Sequence, residues 1–119
     1  MRTGLRVIED SRELFYAIYE LTEQNPLFKY TLNQQIIRAA ISVGSNVVEG
    51  ERRSNKEFCR FLDISIGSCS EVQYQLSLYA CNTKELHKLC DKIIGQLINL
   101  KKYTKSQIPN PKAQSHNGN

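Results

Sequence analysis

Histidine and cysteine, which serve in acid–base, nucleophilic and metal chemistry, are few in this chain. They comprise two histidines and four cysteines: His87, His116, Cys59, Cys69, Cys81 and Cys90. No two cysteines form the C-x-x-C pair typical of zinc and redox sites, and no H-E-x-x-H, Glu-x-x-His or glycine-rich phosphate loop occurs. We therefore expect no enzymatic activity, no metal and no cofactor, with reduced cysteines that pack as small hydrophobic residues.

Lysines and arginines favour a different chemistry, contact with the phosphates of a nucleic acid. The formal net charge is +4, and residues 1–100 are neutral because 12 Asp and Glu offset their Lys and Arg. The excess lies in the C-terminal part, and a second basic segment surrounds Arg52 and Arg53. The candidate nucleic-acid-binding residues are Arg38, Arg52, Arg53, Lys56, Arg60, Lys101, Lys102 and Lys105. The alternative is a solvated, solubilising surface.

Several polar residues lie close to predicted apolar stripes. They are Asn46, Glu49, Ser54, Ser68, Glu71 and Gln75. Buried polar groups cost free energy unless they are hydrogen-bonded, so we expect a structural network that also caps the turn at 50–54. Arg38 is a candidate partner for Glu71 across antiparallel helices. The alternative interpretation is a set of ordinary surface polar residues.

The elements that must position these residues are helices, and each has a start signal. The N-cap signatures are Asp10-x-x-Glu13, Thr31-x-x-Gln34, Ser54-x-x-Glu57 and Asn82-x-x-Glu85. The predicted helices cover residues 10–24, 32–49, 55–80 and 83–105, and Gly50 occupies the position of a C-terminal cap. Apolar residues recur every three or four positions in all four segments, as on one face of a helix.

Short connections between the helices favour antiparallel neighbours. The predicted fold is therefore all-α, an antiparallel up-down-up-down four-helix bundle over residues 1–105, followed by a disordered polar tail over 106–119. No apolar run could span a membrane and no secretory signal is present, so we expect a cytoplasmic protein without membrane contact.

Some apolar residues fall outside the main stripes of the helices. They are Tyr16, Ile37, Phe61, Ile64 and Tyr74. A narrow bundle has little interior for additional large groups, so these residues favour self-association through a second apolar surface. The alternative is a wide core stripe that includes them.

Residues 32–76 resemble the bacterial four-helix-bundle proteins encoded in 23S rRNA intervening sequences. The matching elements are Arg38-Ala39-Ala40, Ser42, Asn46-x-x-Glu49-Gly50, Lys56-Glu57-Phe58, Phe61-Leu62, Gly67-Ser68-x-x-Glu71 and Gln75-Leu76. The resemblance extends over about residues 10–105. It implies a bundle that assembles into a homopentamer, with distant kinship to accessory variability proteins of retroelements, which bind nucleic acid and a reverse transcriptase. The family's biochemical role is not settled, and the resemblance supplies no catalytic residues.

The sequence thus favours a non-enzymatic, oligomeric bundle that binds RNA or other nucleic acid through basic surface patches. The alternative is a protein–protein interaction scaffold with no nucleic-acid ligand. The two differ in a measurable way, because only the first predicts an affinity for RNA that falls steeply with salt.

Overall fold

Four long helices account for most of residues 4–109, the part of the chain that the computed structural model describes. They are α1 (Leu5–Glu23), α2 (Leu32–Glu51), α3 (Asn55–Leu76) and α4 (Lys84–Ser106), with a 3-10 turn at Pro26–Phe28 between α1 and α2. Each helix packs against the next and α1 also packs against α4, so the four form a closed square. The predicted all-α four-helix bundle is confirmed. Residues 110–119 of the predicted tail lie outside the described part, and Ser106 is the last residue of α4.

The bundle core follows the predicted three-and-four spacing closely. The stripe that this spacing predicts for the third helix is buried throughout. Its residues are Phe58, Leu62, Ser65, Cys69, Val72, Leu76 and Tyr79. The Ser65 hydroxyl donates a 2.6 Å hydrogen bond to the carbonyl of Val43, which satisfies it inside the core and sets the register of α2 against α3. On α4, Thr104 is also buried and donates to the carbonyl of Leu100 at 2.8 Å. Helical periodicity therefore identified the buried face even where the residues were not apolar.

The predicted helix starts have different outcomes. Ser54 is the N-cap of α3, and its hydroxyl accepts a 3.2 Å hydrogen bond from the N–H of Glu57, as the sequence predicts. Asn82 accepts from the N–H of Lys84 at 3.0 Å at the start of α4. Thr31 occupies the N-cap position of α2, but its hydroxyl faces the carbonyl of Phe28 and caps no helical N–H.

The prediction that α1 begins at Asp10 is wrong. The helix begins at Leu5, and Asp10 lies in its second turn, where its carboxylate accepts a 2.8 Å hydrogen bond from Gln96 of α4. The earlier start is stabilised from across the bundle, because the N–H of Gly4 donates to the carboxylate of Glu51 at 2.7 Å. This tertiary bond replaces the local cap that the sequence signature suggested.

The interpretation of Gly50 as a C-terminal cap is also wrong. Gly50 lies inside α2, which continues to Glu51, and no glycine among the described residues has a positive φ. Its role is steric: a Cβ at this position would come within 2.6 Å of the Phe58 ring and 2.7 Å of the Cβ of Phe61. Glycine here allows α2 and α3 to approach each other closely as they leave the turn.

A cluster of four hydrogen-bonded residues, the Asn33 cluster, closes the opposite end of the bundle. The Asn33 amide donates to the carbonyls of Thr22 at 3.2 Å and Asn25 at 2.9 Å, and its oxygen accepts from the Tyr79 hydroxyl at 2.6 Å. Helix α3, predicted to reach residue 80, ends at Leu76, which allows Tyr79 to turn inward against Phe28. Burial raises the pKa of Tyr79 to about 12. The cluster links α1, α2 and the α3–α4 connection.

The four cysteines are predicted to differ sharply in reactivity. Cys81 is exposed and Cys59 half-buried, whereas Cys69 and Cys90 are buried. A hydrogen bond with Cys69, together with burial, raises the pKa of the Cys90 thiol. Because the thiolate is the reacting species, native protein should react with Ellman's reagent rapidly at Cys81, slowly at Cys59, and at the other two only after unfolding. The Cys81→Ser variant should lose the fast phase, and fast labelling of Cys69 or Cys90 would contradict the packing.

Within residues 4–109, no helix combines the length and the apolar character needed to cross a lipid bilayer.

Candidate nucleic-acid interface

The helix topology brings the two basic segments of the sequence to one end of the bundle. The start of α3 lies beside the end of α4, since the Cys59 sulfur is 3.9 Å from the carbonyl oxygen of Lys101. The start of α1 joins them through the bond between Gly4 and Glu51. We call this region the basic end. The junction and the C-terminal segment, separate in the sequence, therefore form one surface.

The charges at the basic end do not balance. Its cations are Arg6, Arg52, Arg53, Lys56, Arg60, Lys101, Lys102 and Lys105, and its anions are Glu9, Glu49, Glu51, Glu57 and Asp63. Positive groups therefore exceed negative groups by three at this end, whereas the rest of residues 4–109 carries a small negative excess. The surplus creates a positive field at one pole of the molecule.

Arg53 is largely neutralised by its neighbours. Its guanidinium lies 2.6 Å from the carboxylate of Glu49, four residues earlier in α2, and 3.5 Å from that of Glu57, four residues later in α3. The hydrogen bond from Arg53 holds the pKa of Glu49 below its usual range. The guanidinium also lies 5.5 Å from the centre of the Phe61 ring. Arg53 therefore braces the junction between α2 and α3 and offers little free charge.

Lys101 is neutralised in the same way. Its ammonium group donates a 2.7 Å hydrogen bond to Asp63, which links α4 to α3 and raises the pKa of the lysine. Of the eight sequence candidates, Arg53 and Lys101 are thus the two whose charge is already engaged by a carboxylate within 4.0 Å in the described residues.

The remaining cations at the basic end are open to a ligand. These are Arg52, Lys56, Arg60, Lys102 and Lys105, all exposed and, within residues 4–109, without a carboxylate at ion-pair distance. Arg60 lies 5.4 Å from the centre of the Phe61 ring. This contact supports the side chain without consuming its hydrogen-bond donors, because a cation–π contact uses the face of the guanidinium.

Arg38, the eighth candidate, lies elsewhere. It is exposed on α2, 13 residues before Glu51, which places it about 20 Å from the basic end along the helix. Its neighbours are Gln34, Ile37 and Ile41 of the same helix. The suggested ion pair between Arg38 and Glu71 does not form in residues 4–109, where Glu71 accepts a hydrogen bond from Gln75.

The six predicted network residues separate into three groups. The Asn46 amide donates to the Ser42 hydroxyl at 2.9 Å, and the hydroxyls of Ser42 and Ser68 are 2.8 Å apart, which bridges α2 and α3. Gln75 donates to the carboxylate of Glu71 at 3.3 Å, and its own amide oxygen is buried with no hydrogen-bond partner in the described residues. Glu49 and Ser54 belong to the basic end. Sequence reasoning missed the bridging role of Ser42, whose signal was its spacing of four from Asn46.

A second surface, which we call the α1–α2 face, is mainly apolar and also contains Arg12 and Glu49. It is an open groove of about 480 Å³ between these helices, whose apolar lining includes Ile8, Phe15, Tyr16, Ile41 and Val48. The sequence singled out Tyr16 but not Ile41 or Val48, because a stripe of alternating three and four residues accounts for only one face of each helix. Gly44 forms part of the groove beside Ser11.

Groups that could hold a metal ion do not converge in the described part of the chain. Residues 4–109 contain no set of three or more His, Cys, Asp or Glu side chains placed to hold a metal ion. The carbonyl of His87 accepts a 3.3 Å hydrogen bond from Gln73, which links α4 to α3.

Comparison of the sequence with known proteins and protein families shows which family the chain belongs to. No curated protein sequence is significantly similar to the chain. Residues 3–106, which include all four helices, match the protein family described as 23S rRNA-intervening sequence protein. Because this match extends over most of the 119 residues, the chain belongs to the 23S rRNA-intervening sequence protein family.

Proposed function

We propose that this protein is a non-enzymatic, self-associating, cytoplasmic bundle that binds RNA or DNA through phosphate contacts at the basic end. The observation that carries the proposal is the cluster of five exposed Lys and Arg side chains that have no carboxylate within 4.0 Å in residues 4–109. An unneutralised cation releases counterions when it contacts a phosphate, whereas Arg53 and Lys101 must first give up their carboxylates.

The same geometry indicates what kind of recognition to expect. The exposed cations lie at helix ends and in a turn, so they are better placed to contact the phosphate backbone of a nucleic acid than the base edges inside its grooves. Contacts of this type carry little sequence information, and the affinity depends on the number of phosphates contacted. We therefore expect binding with weak sequence preference and a strong dependence on salt.

The test compares two triple variants with the same change in net charge. Arg52→Gln, Lys56→Gln and Arg60→Gln remove three cations from the basic end, and the control removes Lys29, Lys84 and Lys88 at the other end. Titration of a fluorescent structured RNA at 50–200 mM salt should show about a 10²- to 10³-fold loss of affinity for the basic-end triple, with a salt slope smaller by about 3. The control should remain within a few-fold of the wild type.

Two results would overturn this proposal. Equal losses in both triple variants would show that net charge alone matters, and the basic end would have no special role. No binding by the wild type to structured RNA or duplex DNA at about 50 mM salt would remove nucleic acid as a ligand.

The second part of the proposal is self-association, which the apolar α1–α2 face supports. Tyr16 is 64% exposed and Ile41 51% exposed in the single chain. A homopentamer is the assembly that the family resemblance implies, and a symmetric oligomer would gather several basic ends and raise the avidity for a long phosphate backbone. Sedimentation of nuclease-treated protein at micromolar concentration tests this part, and a monomer alone would contradict it.

The same groove also supports the alternative function, a scaffold that docks another protein. This alternative expects a protein partner that copurifies after nuclease treatment, together with no measurable affinity for RNA. The two measurements above therefore separate it from the nucleic-acid function.

A further inference from the structure

The α1–α2 face ends at a charged residue that has no partner within the described chain. Arg38 lies beside Ile41, exposed, with no carboxylate within 4.0 Å in residues 4–109. An apolar groove bordered by an unneutralised arginine fits a partner surface that presents an apolar side chain and a carboxylate.

The neighbouring side of the same bundle presents such a surface. Ile64, Ser68 and Glu71 are spaced four and three residues apart on α3, so they share one side of the helix, and the bond from Ser68 to Ser42 places that side toward α2. We call this the α2–α3 face. Ile64 is 46% exposed, and Glu71 is exposed with no cation at ion-pair distance in the described residues.

We propose that the α1–α2 face of one copy binds the α2–α3 face of a second copy, with Arg38 paired to Glu71 of the partner subunit. This inference rests on the proposed self-association and assigns its interface. The occupant of the groove is therefore a second copy of this chain, whose Ile64 inserts between Ile41 and Val48.

The levels of the residues along the bundle support this pairing. The bond between Ser65 and the carbonyl of Val43 places residues 43 and 65 at the same height. Because α2 and α3 are antiparallel, the residue five positions before 43 on α2 lies opposite the residue five positions after 65 on α3. Residue 38 is therefore opposite residue 70, at the level of Glu71. A rotation about an axis parallel to the bundles keeps every residue at its height, so Arg38 and Glu71 of neighbouring copies meet.

The apolar residues obey the same register. Residue 41 lies opposite residue 67 and residue 48 opposite residue 60, so Ile64 lies at a height between Ile41 and Val48. One rotation thus satisfies both the charged pair and the apolar contact. An isologous contact of two α1–α2 faces would instead bring the two Arg38 side chains into the same interface and leave Glu71 outside it.

The angle between the two faces predicts a closed assembly. The α1–α2 and α2–α3 faces are adjacent sides of a square bundle and point about 90° apart. Heterologous contacts through surfaces at about this angle close into a ring of about four or five copies, whereas contacts through opposite sides would extend into a filament. Helix α2 would line the inside of the ring.

Charge exchange tests the pairing directly. Arg38→Glu and Glu71→Arg, each alone, should weaken assembly at least tenfold in sedimentation of nuclease-treated protein, and the double variant Arg38→Glu with Glu71→Arg should restore it. Both residues are exposed, so circular dichroism should show an unchanged fold. The matched control is Lys84→Glu with Glu85→Lys, an exposed pair outside both faces, and it should assemble as the wild type does. Ile41→Asp should prevent assembly with no rescue.

The outcomes distinguish this inference from the function on which it rests. A wild type that assembles but is unaffected by the single variants, or a double variant that stays dissociated, overturns the interface and leaves self-association intact. A monomeric wild type overturns both. RNA titration of the basic-end triple variant decides the nucleic-acid function separately. Sedimentation of the same variant checks that Arg60, which lies one helical turn from Ile64 on α3, takes no part in the contact.

Discussion

Replacing Asn33 with alanine should lower the free energy of unfolding by about 3 kcal/mol or more. The substitution leaves the buried Tyr79 hydroxyl without its acceptor, and the carbonyls of Thr22 and Asn25 each lose one hydrogen bond but keep a backbone N–H donor. A buried polar group left unsatisfied costs about 1–3 kcal/mol, and each of the two other lost hydrogen bonds costs about 0.5–1.5 kcal/mol. Urea unfolding followed by circular dichroism measures the loss, at one fixed protein concentration because assembly also stabilises the folded chain.

Two further variants serve as comparisons for Asn33→Ala. Gln34→Ala removes an exposed amide from the next position of α2 and should change stability by less than about 0.5 kcal/mol. Tyr79→Phe removes one bond of the cluster and should cost about 1 kcal/mol. If Asn33→Ala cost no more than Gln34→Ala, the Asn33 cluster would contribute nothing to stability.

Replacing Gly50 with alanine should destabilise the bundle by about 1–3 kcal/mol, the usual cost of overpacking. The added methyl group would lie within 2.6 Å of the Phe58 ring, which is fully buried and cannot move outward. Helices α2 and α3 would have to separate next to the junction that carries Arg52 and Arg53. Thermal and urea unfolding of the variant measure the effect.

A second glycine supplies a control of opposite sign. Gly67 lies inside α3 with no atom within 4 Å of the position of a Cβ. Alanine there removes only the entropic disadvantage of glycine, so Gly67→Ala should stabilise the protein by about 0.5–1 kcal/mol. Should both substitutions stabilise the protein, the close approach at Gly50 would not be a constraint.

The fold could be predicted because helical periodicity is a local property. Phe58, Leu62 and Val72 are spaced for one face of a helix, and each is completely buried. Local spacing also located Ser65 and Thr104 in the core, where their hydroxyls are satisfied by carbonyls of α2 and α4. Short connections then left an antiparallel bundle as the arrangement consistent with four such stripes.

The errors occurred where a distant contact decides the local structure. The start of α1 depends on a hydrogen bond from Gly4 to Glu51, which is 47 residues away. Local sequence patterns cannot show a contact over this separation. From sequence alone, a glycine that caps the end of a helix cannot be distinguished from one that leaves space for an aromatic ring. Gly50 leaves space for the ring of Phe58. Tyr79 continued the stripe of α3 although the helix had ended, because its ring is recruited by Phe28 and its hydroxyl by Asn33.

The sequence predicted which residues form the candidate site, but not which of them are already ion-paired or that the two basic segments meet. The sequence named the basic residues correctly as a set, yet it could not show that Arg53 and Lys101 are engaged by Glu49 and Asp63. It also treated the junction and the C-terminal segment as two features. An even number of antiparallel helices returns the chain to its starting end, so their union could have been inferred from the topology already predicted.

Because the described chain starts and ends at the same end of the bundle, the positions of labels and fusion partners need to be chosen with care. Both ends of the described chain, Gly4 and Pro109, lie at the basic end, so the segments that would carry a tag or fusion partner leave the bundle beside the cations of the candidate interface. The connection between α3 and α4 lies at the other pole and carries the exposed Cys81. Attachment of a fluorophore or a surface anchor through that thiol would leave the charged pole turned toward the solution.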